Sequence, residues 1–380
     1  MARATDGSIK ESFHVGVVKG EEKLVPSTLS LRYNAKTLSG KSLDAQLNKW
    51  ERLGVLESDT AASIRRVAND SEALDLSGHT FVLIGAGSAM GPFEQLLEWG
   101  ATVVALDIPG NWGIGGKRPS SGLWKRLIST ARASPGTLIF PLSKPQKECA
   151  TELELWQCCG CDLTKQPADI LHFLLKKEVG MSKAPLCIGN YTYLDSGMHV
   201  LLTLCADAVM DGLVQARAKK LRNAETAIAF LCTPTDVHLT TSGAARAMQV
   251  NNGMASHPFG KVVEIWMNAV SLGSWLKPNF KRPIGPQRDL AWVDGIISAQ
   301  GPNYALAKRL QHFRAILAYE QGVTVSSNVA PSTATASVVH NRSFAWAYGG
   351  MPFFQPYEIF EQETTSAIMA ALLVSDVQVG

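Results

Sequence analysis

The sequence predicts an α/β fold: a doubly wound parallel sheet with helices on both faces, preceded by a helical N-terminal extension. Three observations predict it. Short apolar runs recur as Phe81 to Ile84, Pro185 to Asn190, which ends on Gly189-Asn190, and Ala227 to Cys232. Helical stretches separate these runs, and a glycine cluster, Gly85-Ala-Gly-Ser-Ala-Met-Gly91, lies where the first run meets an amphipathic segment. Apolar runs of this length are strands buried on both faces, and their alternation with helices is the pattern of a parallel sheet covered on both sides.

Residues 1–77 precede that pattern and read as an extension. Leu43, Leu47 and Trp50 recur at helical spacing after Ser42, which is placed as an N-cap, and Gly54 closes the helix. A second helix starts near Ser58 or Asp59 and presents Ile64 and Val67 on one side. Residues 78–380 form the sheet domain, with insertions expected near 108–155 and 236–297. The first insertion opens on an irregular glycine-rich stretch from Pro109 to Gly122, followed by a helix through Trp124, Leu127 and Ile128. Leu153 to Asp162 resumes the core pattern, with Cys158, Cys159 and Cys161 reading as buried cysteines near a strand end. A helix follows near Ile170 to Leu175, a long one spans His199 to Lys219, and another runs from Tyr304 to about Tyr319. The second insertion holds Trp266, Trp275 and Trp292, which either line a pocket or pack the insertion onto the core.

Composition narrows the partners. With 46% hydrophobic and 18% charged residues, the chain reads as globular. A net charge of +3 without a basic run argues against nucleic acid and anionic membranes and for small molecules, a small-molecule substrate among them, or other protein chains as partners. No membrane span and no apolar signal core are read from the sequence, and seven cysteines without framework spacing fit a reducing compartment. A cytoplasmic location is expected, with organellar targeting left open. No metal site is expected, because the cysteine cluster lacks a second ligand pair.

Thr80 to Asp107 reads as strand, glycine turn, helix, strand and terminal acid. Such a Rossmann-type unit binds a dinucleotide diphosphate, because Gly85 and Gly87 let the backbone turn and approach phosphate oxygens. Asp107 stands where a carboxylate accepts bonds from the adenosine ribose. Its charge favours NAD(H), and Lys117 and Arg118 in the following loop leave NADP(H) possible.

Tyr304-Ala-Leu-Ala-Lys308, taken with Gly85 to Gly91, resembles the short-chain dehydrogenase/reductase superfamily, and the resemblance covers roughly residues 78–376. The resemblance is carried by Tyr304-Ala-Leu-Ala-Lys308, by Cys161-Asp162-Leu163-Thr164, by Gly189-Asn190-Tyr191-Thr192, by Val329-Ala330-Pro331-Ser332 and by the late segment Ala371 to Asp376. It implies that Gly85, Gly87, Ser88, Ala89, Met90 and Gly91 hold the cofactor, with Ala89 replacing the family's middle glycine. Asp107, Asp162, Leu163, Asn190, Lys308, Pro331, Ser332 and either Thr333 or Thr335 would complete that site. Tyr and Lys four apart share one helix face, and a neighbouring ammonium favours a phenolate in a group whose ordinary pKa is about 10. Tyr304 is therefore the expected acid–base and Lys308 its partner.

The family's catalytic serine has two candidate substitutes, Ser298 or the pair Thr233 and Thr235, and element order favours the threonines. The family's helix asparagine is not evident; Asp207 and Asp211 lie in that region and read as surface charges. The resemblance further implies a homodimer or homotetramer, with Leu310, Phe313 and Leu317 available for pairing. The aromatic stretch Phe344 to Tyr348 and Phe353-Phe354 points to an apolar or bulky alcohol or ketone substrate. The alternative is a nucleotide-binding scaffold or sensor whose catalysis is altered or lost, motivated by Ala89 and the displaced serine.

Overall fold

The computed structural model describes residues 13–25, 28–114, 118–221, 223–245, 258–273, 280–281, 290–295, 300–340, 342–351 and 357–379. Lys117, Trp275, Ser298, Phe353 and Phe354 of the expectations above lie outside them.

Seven strands form the central sheet: β1 (His14–Lys19), β2 (Thr80–Ile84), β3 (Thr102–Leu106), β4 (Thr137–Leu142), β5 (Leu186–Asn190), β6 (Thr226–Cys232) and β7 (Thr324–Val329). Their spatial order is β1-β4-β3-β2-β5-β6-β7. All neighbours run parallel except β1, which pairs antiparallel with β4 from His14 opposite Leu142 to Lys19 opposite Thr137. The six parallel strands are thus wound outward in two directions from β2, the Rossmann-like arrangement. The order reverses between β2 and β5, and ligands of such sheets bind beyond the carboxyl ends of the strands at that switch.

Strand periodicity explains the two covered faces. Phe81, Leu83, Val103, Ala105, Cys187, Ala229 and Leu231 point into one apolar cluster. Val82, Ile84, Val104, Leu106, Ile188, Ile228 and Phe230 point into the other. The first face is closed by α1 (Gly40–Leu53), α2 (Ser58–Asn69), α3 (Phe93–Glu98), α4 (Ser121–Arg132) and the last helix. A short α5 (Glu152–Cys158) leads across to the second face, covered by α6 (Pro167–Leu174) and α7 (Gly197–Lys220). Next come α8 (Pro258–Val270) in the second insertion and α9 (Gly301–Glu320), which packs along α7. The chain finishes through α10 (Ala336–Val339), α11 (Arg342–Gly350) and α12 (Gln362–Val379).

Several expectations are corrected. The leading segment is not only helical, since β1 extends the sheet and a hairpin, Ser30–Tyr33 with Lys36–Ser39, precedes α1. The N-cap of α1 is Ser39 rather than Ser42; Ser42 sits one turn inside and its hydroxyl accepts from the Ser39 amide at 2.9 Å. The stretch read as the first insertion contains α4 and the core strand β4. Pro141 in the middle of that apolar run argues against a strand from sequence, and here it lies opposite Val15 of the antiparallel edge. Residues 152–158 form a helix, with Cys159 making only an isolated bridge to Leu142. All seven cysteines are free thiols, and burial pushes Cys159, Cys161 and Cys187 far up in pKa.

By length and composition α7 reaches the hydropathy of a membrane span, with a mean of 1.4 over its most apolar window. It lies against the sheet and against α6 and α9. It also carries Arg217, wholly buried, whose guanidinium donates to the carbonyls of Gly180, Ser182, Ala184 and Glu225. Asp207 and Asp211 are not free surface charges: Arg314 of α9 grips Asp207 through two nitrogens at 2.5 and 2.9 Å and reaches Asp211 at 2.7 Å.

At the switch, the ring of Tyr191 lies directly on Gly189 of β5. A Cβ at Gly189 would stand 2.2 Å from the Tyr191 Cε2 atom, far inside contact distance. Gly189→Ala is therefore expected to lower stability by about 1–3 kcal/mol through overpacking. A urea midpoint equal to that of the unaltered chain would contradict this packing.

Candidate functional site

The carboxyl ends of β2, β3, β5, β6 and β7 carry most of the residues singled out from sequence. After Ile84 the chain turns sharply: Gly85 has φ +86°, and a Cβ there would stand 3.0–3.1 Å from the Tyr191 and Thr192 backbone. The turn is held by amide bonds from Gly85 to Leu106 O at 2.8 Å, from Ser88 to Gly85 O at 3.1 Å and from Gly91 to Ser88 O at 3.1 Å. Ala89 is fixed through its carbonyl, which accepts from the Ser366 hydroxyl of α12 at 3.2 Å.

Asp107, at the end of β3, closes on this turn. Its Oδ2 accepts from the Gly87 amide at 2.7 Å and its Oδ1 from the Ile108 amide at 2.8 Å. Burial pushes its carboxyl above the usual range, while the two amide bonds and the Arg126 charge act the other way. Arg126 of α4 donates to Gly87 O at 3.2 Å and pairs with Glu94 at 3.2 Å. It is a cation beside the turn that sequence reading did not identify, because only the fold brings α4 across it.

Asp162 organises its own loop. Its Oδ1 accepts from the Thr164 hydroxyl at 2.7 Å and from the Thr164 and Lys165 amides at 3.1 and 3.3 Å. Burial acts to raise its carboxyl, and these bonds with the Lys165 ammonium outweigh burial and hold it below the usual range. Leu163 is buried in the second apolar cluster. The buried Asn190 accepts at Oδ1 from the Thr192 hydroxyl and amide at 2.7 and 3.1 Å, which fixes the path beyond β5.

The buried stripe of α9 is polar. Tyr304, Lys308 and Gln311 are buried together with Ala307 and Ala318, whereas Leu306, Phe313, Ile316, Leu317 and Tyr319 are exposed. That is the reverse of the usual pattern, in which a helix turns its apolar stripe inward. The Tyr304 hydroxyl lies 2.5 Å from Thr233 Oγ1, at the end of β6. Thr235 Oγ1 is 3.3 Å from Thr233 Oγ1 and accepts from Gln300 Nε2 at 2.9 Å. Lys308 Nζ lies 5.8 Å from the Tyr304 ring centroid and donates to Leu231 O at 3.2 Å and to Gln311 Oε1 at 3.3 Å.

The loop after β6 is anchored from behind. His238 Nε2 donates to Thr233 O at 2.6 Å. Asp236, wholly buried, pairs with Arg309 of α9 and lies 3.4 Å from His312 Nε2. Burial lowers the pKa of both histidines. Thr233 is thus held through its carbonyl and through its side chain.

Beyond β7, the Ala330 amide donates to Cys232 O at 2.9 Å, and Ser332 O accepts from the Phe360 amide at 2.8 Å. Thr333 donates its hydroxyl to Pro331 O at 2.8 Å and lies 2.7 Å from the Thr365 hydroxyl. Thr335 instead caps α10, accepting from the Val338 amide. Met90 is half-buried against the first apolar cluster, and Asp376 accepts from Ser326 and Asn328, each at 2.7 Å.

Two aromatic neighbours of Tyr304 were not found from sequence. His199, in the first turn of α7, has its ring centroid 5.7 Å from that of Tyr304 and 5.1 Å from that of Tyr193. It is 1% exposed, and burial, helped by the Lys308 charge and opposed by Asp195, pushes its pKa down to about 4. A histidine at the start of an apolar helix carries no sequence signal that separates it from an ordinary core residue.

No family model matches the chain, and neither a curated protein nor a solved structure matches it.

Proposed function

We propose that the chain is an NAD(P)-dependent oxidoreductase that moves a hydride between the nicotinamide and an alcohol or ketone carbon. The observation that carries the reading is the 2.5 Å contact between Thr233 Oγ1 and the Tyr304 hydroxyl, with Lys308 one turn along. The Tyr304 hydroxyl passes a proton to the substrate oxygen during reduction and takes it back during oxidation. Lys308 stands one turn along on the same helix face, and the Thr233 hydroxyl donates to the oxygen as it gains negative charge.

The residues at the switch suit a dinucleotide. Lys308 has three ammonium donors, and the two neutral acceptors it meets leave one for a ribose hydroxyl. The Asp107 oxygens each accept one amide and retain lone pairs for the adenosine ribose. The turn Gly85 to Gly91, together with Asn190 and Pro331 to Thr333, would hold the rest. Asp107 favours NAD(H), and Arg126 supplies a cation for the 2′-phosphate of NADP(H). When bound there, the nicotinamide supplies or accepts the hydride.

A homodimer or homotetramer is part of the reading. Met198, Leu201 and Leu204 of α7 are exposed, as are Phe313, Ile316 and Leu317 of the adjoining α9. A second copy covering this face would bury apolar surface that both helices otherwise leave in water. A scaffold role remains the second reading, favoured by the 6% exposure of both Tyr304 and Lys308 and by the Thr333 hydroxyl being satisfied within the fold.

The test is ketone-dependent oxidation of NADH or NADPH carrying deuterium at the transferred position. Deuterium on the product carbinol carbon is expected. Cofactor that remains reduced across a panel of apolar and aromatic ketones would favour the scaffold.

A further inference from the structure

Three side-chain atoms on one face of α7 are buried and bond to nothing among the described residues: Nδ1 and Nε2 of His199, whose ring stands 5.7 Å from that of Tyr304, and Oγ1 of Thr203. Both residues are 1% exposed and lie one helical turn apart on α7, so they share a face. A buried polar atom without a partner costs about 1–3 kcal/mol, and such atoms collect where a ligand completes the bonding. Here two of them belong to the ring beside Tyr304, the group that handles the reacting oxygen, and the third lies one turn along on the same helix. The imidazole is uncharged near neutrality, so it offers one N–H donor and one bare nitrogen acceptor. A hydroxyl group has the matching pair, one donor and lone pairs that accept.

We infer that His199 and Thr203 bind a substrate hydroxyl carried on the carbon beside the reacting carbonyl, so that the substrate is an α-hydroxy ketone or the corresponding vicinal diol. The inference rests on the oxidoreductase reading and adds the substrate class. The His199 and Tyr304 rings are 5.7 Å apart, centroid to centroid, and a second oxygen on the adjacent carbon stays close to the oxygen that Tyr304 serves.

Access runs past Tyr193. That side chain is 55% exposed, stands edge-on to His199, and donates its hydroxyl to Asp195 at 2.8 Å. The ring gives the entrance an aromatic wall suited to an aryl or alkyl substituent.

The full chain, labelled at its eight histidines, is titrated with α-hydroxyacetophenone and with acetophenone while the imidazole nitrogens are followed by NMR. His199→Phe assigns the relevant signals. The hydroxylated compound is expected to shift the His199 nitrogens, and acetophenone is not. Affinity is expected to favour the hydroxylated compound by roughly tenfold, the worth of one net hydrogen bond, and the preference should vanish in His199→Phe. Thr203→Val, which keeps the shape, should lose part of it.

Equal responses to the two compounds, or none, would overturn the inference; a buried water bridging His199 and Thr203 would then account for the unpaired atoms. This readout needs no turnover. A protein that binds the hydroxy ketone at His199 but neither dinucleotide would sink the oxidoreductase reading and leave the hydroxyl site standing.

Discussion

Tyr304→Phe is expected to lower ketone turnover by roughly 10²–10⁴-fold, the usual contribution of a positioned acid–base group, while dinucleotide affinity stays within about twofold. The substitution removes one oxygen and keeps a ring that is 6% exposed, so the packing of α9 against β6 is preserved. What is lost is the hydroxyl that lies 2.5 Å from Thr233. Thr233→Val should cost less, because it removes a donor to the developing oxyanion and leaves the proton carrier in place. Steady-state kinetics with separate kcat and KM distinguish these cases, since loss of the proton step falls on kcat. Turnover equal to that of the unaltered chain would remove Tyr304 from the chemistry.

The second large effect is on stability, and its sign follows from His199. Burial pushes this imidazole down to about 4 from an ordinary value near 6.5. The unfolded chain therefore takes up a proton across a range in which the folded chain resists it. Stability from this group is complete above about pH 6.5 and is lost as the pH falls toward 4, by up to about 3 kcal/mol. Urea denaturation of the unaltered chain and of His199→Gln over that range isolates the contribution, because His238 and His312, lowered in the same direction, are common to both. A shallower pH slope is expected for the variant. Parallel slopes would mean that His199 is already hydrated or paired in the folded protein.

Both effects centre on α7 and α9, where sequence is least direct. The sheet was legible because β2, β5 and β6 are short apolar runs that need no long-range information, and Gly85 marks the turn because only a residue tolerant of positive φ closes it there. The edge was not legible. Pro141 disguises β4, and β1 owes its position to pairing with β4 more than 100 residues away. Within the site, Tyr304 and Lys308 were visible through a spacing of four on one helix. Thr233 was one of a favoured pair with Thr235, and the fold placed it beside Tyr304, 71 residues distant in sequence. His199, Tyr193 and Arg126 were invisible for a different reason: each sits in a segment whose local pattern describes an ordinary helix or, for Tyr193, a loop, and only the packing of one element across another gives it a neighbour. The same limit explains Asp207 and Asp211, whose partner Arg314 lies over 100 residues on.

The central claim, a dinucleotide bound over the switch between β2 and β5, is tested most directly by fluorescence titration of the purified chain with NADH and with NADPH, repeated on Gly85→Trp. The indole would enter a turn whose Cβ direction already meets backbone at 3.0 Å. The account predicts saturable binding, tighter for NADH, that disappears in the variant while circular dichroism shows its fold retained. Failure of a folded, unaltered chain to bind either dinucleotide would contradict it.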